Sequence, residues 1–79
     1  MGRGRRKRSK KLAGKLKGIR LALGWTQAQL AERLDVDSGA ISRYERGLRE
    51  PSPLELLEYA RIGRVSMETL VDDKVNLPR

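Results

Sequence analysis

The side chains in this sequence best suited to chemistry are hydrogen-bond donors, and they gather in the segment Ser38-Gly39-Ala40-Ile41-Ser42-Arg43-Tyr44-Glu45-Arg46. At a helical advance of about 100° per residue, Ser38, Gly39, Ser42, Arg43 and Arg46 fall on one arc. Ala40, Ile41 and Tyr44 fall on the opposite one. The first arc is small, polar and cationic, and carries no acid. Small residues let a helix approach a partner closely, and Arg and Ser donors then reach its acceptors. The major groove of double-stranded DNA offers such acceptors on base edges and phosphates, guanine to Arg above all. Catalysis fits poorly. The chain has neither His nor Cys, so the usual general base, the thiol nucleophile and the commonest metal ligands are missing. No carboxylate pair falls in an evident pocket. No enzyme, no metal and no cofactor are expected.

Charge is divided unevenly along the chain. The formal net charge is +8, but residues 1–20 hold ten Lys and Arg and no acid, while residues 21–79 sum to −2. The pattern is a nearly neutral domain carrying a cationic segment, which suggests a polyanionic partner. Residues 1–11 (MGRGRRKRSKK) have nothing to bury and read as a disordered basic arm. Six arm charges meeting phosphates would add about −5 to the slope of log K against log salt. Gly2-Arg3-Gly4-Arg5 faintly resembles a minor-groove AT-hook, with Arg6 where that motif has Pro. No apolar run approaches the ~18 residues of a membrane span, and no apolar stretch follows the basic start as in a signal peptide. A cytoplasmic, nucleoid-associated protein without membrane contact is expected.

The elements that must position these donors are helices. Leu12, Leu16, Ile19 and Leu23 recur at helical spacing, predicting a first helix over roughly 10–23, with Gly24 as a left-handed cap. Thr26 and Gln29 form a capping box for a second helix over 27–34, and Trp25 is placed to staple it. Asp37 caps a third helix over 38–46 that stops at Gly47. Ser52, Pro53 and Glu55 start a fourth helix, carrying Leu54, Leu57 and Ile62 with Tyr59 and Ala60 among them, and ending near Gly63. Ser66 caps a brief fifth helix through Met67, Leu70 and Val71. The reading is all-α, five compact helices over 12–71, with a frayed tail over 72–79. One domain is expected, with no ligand-sensing or protease-like module after it.

From Leu16 to Leu70 the chain resembles the Xre/lambda-repressor-like family of helix-turn-helix DNA-binding domains. The resemblance rests on Arg20-Leu21-Ala22-Leu23-Gly24-Trp25-Thr26-Gln27, Leu30-Ala31-Glu32-Arg33-Leu34, Val36-Asp37, Ile41-Ser42-Arg43-Tyr44-Glu45-Arg46-Gly47, Pro51-Ser52 and Val65-Ser66-Met67-Glu68-Thr69-Leu70. It implies a compact five-helix domain that binds DNA without a cofactor. By position it implies that Gln27 holds a phosphate and braces the recognition helix. Ser38, Gly39, Ser42 and Arg43 then face bases or adjacent phosphates, and Arg46, Leu48 and Arg49 form the phosphate-contacting edge. Arg20 and Glu45 are implied as a structural ion pair. The sequence departs from the family pattern at Gly39, which offers no reading side chain, at Asp37, which replaces a common Ser, and at Gly63-Arg64.

The expected function is a sequence-specific transcriptional regulator, a repressor, that reads the major groove with helix 38–46 as a homodimer. Met67, Leu70, Val71, Val75 and Leu77 are the expected dimer surface. Two alternatives remain open: an antitoxin that binds a toxin protein as well as DNA, and a non-sequence-specific nucleic-acid-binding factor driven by the arm.

Overall fold

Side-chain caps set four of the five helix starts in the structure, a computed structural model that describes residues 11–75 and 77. The helices are α1 (Leu12–Leu23), α2 (Gln27–Leu34), α3 (Ser38–Glu45), α4 (Pro53–Gly63) and α5 (Met67–Val71). The Thr26 hydroxyl accepts from the Gln29 amide at 3.1 Å while the Gln29 side chain accepts from the Thr26 amide at 2.8 Å. Ser52 and Glu55 repeat this box at the start of α4, with Pro53 in the first turn. Asp37 and Ser66 cap α3 and α5 through single side-chain acceptors. Each such cap contributes about 1 kcal/mol. No strand occurs among the described residues, and none of their helices is long and apolar enough to cross a membrane. The expected disordered arm lies, Lys11 apart, outside the described residues.

Every helix gives the core one fully buried side chain: Leu16, Leu30, Ile41, Tyr59 and Leu70. Trp25, Leu56, Ile62 and Met67 pack partly buried around them. Truncating a buried leucine of this kind costs about 2–5 kcal/mol. Of the residues expected on α4, Tyr59 and Ala60 are buried, whereas Leu54 in the first turn is 79% exposed. The helix ends at Gly63, and the left-handed cap (φ 57°) falls on Arg64. Close packing explains the glycine: a Cβ on Gly63 would stand 3.0 Å from the Ile19 side chain.

Within the cationic segment, Lys15 and Arg20 lie in α1 and are buried. Lys15 Nζ donates to the Thr69 and Asp72 carbonyl oxygens at 2.6 and 2.8 Å. A helix of five residues does not persist alone. Here an ammonium satisfies carbonyls at its C-terminal end, where positive charge is favoured. The C-terminal apolar residues are largely spent on the same packing. Leu70 is fully buried, Met67 and Leu77 rest against the core, and Val71 alone among the large apolar residues of α5 stays exposed. Leu70 is thus unavailable to a second chain in this fold.

Candidate nucleic-acid interface

Two short helices, α2 and α3, are joined by Asp35-Val36-Asp37, with Asp35 turning the chain in the left-handed region (φ 60°). The Val36 amide donates to the Ala31 carbonyl at 3.0 Å and closes the end of α2. Ala40, Ile41 and Tyr44 turn inward and are buried. The Tyr44 hydroxyl donates to Glu55 at 2.7 Å, tying α3 to α4. Burial, followed by that hydrogen bond to a carboxylate, pushes the Tyr44 phenol up to about 12.

The last turn of α3 is fixed by a charged network. Glu45 accepts from Arg20 Nε at 2.7 Å, from Arg20 Nη2 at 3.0 Å and from Gln27 Nε2 at 3.1 Å. Arg20 Nη1 also donates to the Trp25 carbonyl at 2.9 Å. Hydrogen bonding to Glu45 raises the Arg20 guanidinium above its ordinary value, against the opposing effect of burial. A fork-to-fork contact of this kind is directional, so α1 and the first turn of α2 set the rotation of α3 about its axis.

The outer face of α3 then carries the expected residues. Ser38 opens the helix and is exposed, whereas Gly39, Ser42 and Arg43 are half-buried. Arg46 caps the helix, exposed, and its Nε lies 3.4 Å from the Ser42 carbonyl oxygen. Arg49 is exposed in the loop after it, beside Leu48. Gln27 sits at the first position of α2 and joins this face only through its bond to Glu45. The structure therefore brings Ser38, Gly39, Ser42, Arg43 and Arg46 onto one surface. Gln27 reaches α3 through Glu45.

One expectation about this surface is overturned. The acidic residues were expected elsewhere, yet Asp37 Oδ1 lies 3.9 Å from Arg43 Nη2. The two are six residues apart, outside the usual three- or four-residue spacing of helix pairs. Arg43 leans back toward the start of α3 and its guanidinium lies over Gly39. For Lys15 the available signal was its place one step before Leu16 on the buried stripe of α1.

Helices with this order, connection and capping define a class: the all-α, lambda-repressor-like helix-turn-helix domain. The sequence model of the family described as Helix-turn-helix matches residues 16–70. The chain belongs to that family and is Xre-like. It is 35% identical over 60 residues to the HTH-type transcriptional regulator ImmR of Bacillus subtilis (strain 168). That match covers 76% of this chain and 47% of the relative, so the chain spans about half its length. Among solved structures it is similar to the P22 c2 repressor protein in complex with a synthetic operator, with TM-score 0.72 and 27% identity over 78% of this chain and 94% of that one. It is similar also to the N-terminal DNA binding domain of SinR from Bacillus subtilis, with TM-score 0.71 and 30% identity over 84% and 97% of the two chains.

Proposed function

We propose that this chain is a sequence-specific DNA-binding transcriptional regulator, a repressor, that inserts α3 into the major groove. The observation that carries the reading is the division of α3 into two faces with separate tasks. Its inner face and last turn are held by Ile41, Tyr44 and the Arg20–Glu45–Gln27 network. Its outer face offers Ser38, Ser42, Arg43 and Arg46 with no apolar side chain among them. Arg43 reads a base, and a bidentate contact to guanine is worth about 1–3 kcal/mol of discrimination. Ser38, Gly39 and Ser42 line the close approach. Gln27, Arg46 and Arg49 take phosphates. Likeness to a repressor solved on a synthetic operator supports the same assignment.

The repressor acts as a homodimer, because one small domain covers only one half-site and two-fold symmetry doubles the contact. Val71 remains available for that interface, and Leu70 does not. The test is selection of bound sequences from a random DNA pool at two salt concentrations. A palindromic consensus with half-sites about one helical turn apart is expected. Arg43→Ala should lower the preference at one base per half-site by roughly 5- to 150-fold, the equivalent of the bidentate contact. Equal weakening on every sequence would reassign Arg43 to a phosphate. Absence of any enrichment would refute sequence-specific binding, and sedimentation as a monomer both free and on DNA would refute the dimer.

A further inference from the structure

Asp37 does two things with one carboxylate. Its Oδ1 accepts from the Ala40 amide at 2.7 Å, capping α3, and the same oxygen lies 3.9 Å from Arg43 Nη2. Capping alone does not require the charge, since Asn and Ser cap as well as Asp does. The charge also carries a penalty on the surface where Ser38, Ser42 and Arg46 stand, because an exposed carboxylate there repels phosphates. The guanidinium lies over Gly39, where a Cβ would stand in ordinary contact, 3.4 Å from Arg43 Nη1 and 3.9 Å from Nη2. Side chains on a helix lean toward its N-terminus, and Arg43 follows that lean to the end of α3 that reaches deepest into a groove. Both partners are partly exposed, with side-chain exposures of 43% for Arg43 and 76% for Asp37. A pair this wet is weak, so it biases the guanidinium without locking it.

We propose that Asp37 is a specificity-determining positioning residue, holding the Arg43 guanidinium over Gly39 at the N-terminal end of α3 and away from phosphates. The inference rests on the reading of Arg43 as a base-contacting side chain. Specificity is a difference of affinities. A carboxylate that competes with phosphates for Arg43 lowers affinity for every sequence. It withholds the arginine from wrong sites more than from a site offering two aligned acceptors. Asp37 thus exchanges general affinity for discrimination at one base.

The test compares the wild-type chain with Asp37→Asn, Arg43→Ala and the double variant by selection from a random DNA pool and by titration on selected and unrelated duplexes. Asp37→Ser serves as a second neutral cap, and circular dichroism reports folding. The preference at the base that Arg43→Ala flattens should fall by about twofold in Asp37→Asn, the equivalent of an ordinary exposed ion pair. Affinity for unrelated duplex should rise, and the salt slope should steepen by about 0.9 as Arg43 gains a phosphate. In the Arg43→Ala background, Asp37→Asn should leave every base preference unchanged. An Asp37→Asn chain that keeps the wild-type preference at that base overturns the proposal while leaving sequence-specific binding intact. An equal change in the Arg43→Ala background also overturns it, since the effect would then run through the helix. Loss of helical signal in both capping variants assigns the carboxylate to folding and overturns it too. A wild-type chain that enriches no sequence refutes the underlying reading together with this one.

Discussion

Removal of the Glu45 carboxylate should be among the most damaging single changes on this surface. Its side chain is 3% exposed and that of Arg20 is 11% exposed. Three donor atoms converge on it: Arg20 Nε and Nη2, and Gln27 Nε2. In Glu45→Ala the guanidinium keeps only the Trp25 carbonyl. A buried charge stripped of its partner costs about 3–5 kcal/mol. A domain of 79 residues has a total stability of roughly 4–12 kcal/mol, so about a quarter or more of it would go. The double change Arg20→Met with Glu45→Leu removes both charges and their desolvation together, and should cost much less, about 1 kcal/mol or below. Urea unfolding followed by circular dichroism measures all three variants, with Arg20→Met as the other single. Glu45→Ala within about 1 kcal/mol of wild type, or a double variant as weak as either single, would refute the assignment of a desolvated pair whose worth lies in its mutual compensation.

Further outcomes follow from the packing. Gly14 is exposed, and no atom lies within 4 Å of the place a Cβ would take, so Gly14→Ala should raise stability by about 1 kcal/mol in a thermal melt. Gly63→Ala should lower it, because Ile19 stands 3.0 Å from the new methyl group. Lys15→Met should cost about 1–3 kcal/mol by leaving the Thr69 and Asp72 carbonyls without their ammonium donor, read as a lower urea midpoint. Burial and Glu55 push the Tyr44 phenol up from 10 to about 12, and burial raises Tyr59 too. The folded chain therefore holds these protons longer than the unfolded one. Their contribution is complete below pH 10 and is lost as pH rises toward 12. The Tyr44→Phe, Tyr59→Phe chain should show a smaller fall in urea midpoint between pH 9 and 11 than wild type. Tyr59→Phe alone should gain about 1 kcal/mol at neutral pH, since its buried hydroxyl has no partner among the described residues.

What could be read in advance was local. Caps depend on side chains within three residues of each other, so Thr26 with Gln29, Ser52 with Glu55, and Ser66 all announced their helices. The two faces of α3 were legible for the same reason: a periodicity needs only one segment. What escaped notice depended on contacts across the fold or on a bent side chain. Nothing near Lys15 in the sequence names its partners, since those carbonyls lie 54 and 57 residues away. Leu70 and Leu77 resembled a free apolar surface because nothing near them in sequence shows that α1 takes both. Asp37 and Arg43 look separate because they stand outside the three- or four-residue spacing of helix pairs and meet only through the backward lean of the arginine. At the candidate interface, composition identified the donors but not which of them was already engaged by an acid.

The clamp of α1 on the C-terminal segment also bears on how the chain is made. The Lys11 amide donates to Asp73 across 62 residues, and the Lys15 ammonium waits for the Thr69 and Asp72 carbonyls. During synthesis the first helix emerges long before these acceptors exist. Its ammonium must stay hydrated, and its leucines incompletely covered, until residue 72 clears the ribosome. Domains fold as units as they are synthesised, and this one is held open almost to its last helix. A ribosome stalled before residue 69 would carry a chain whose first helix still lacks both carbonyl acceptors of its buried ammonium.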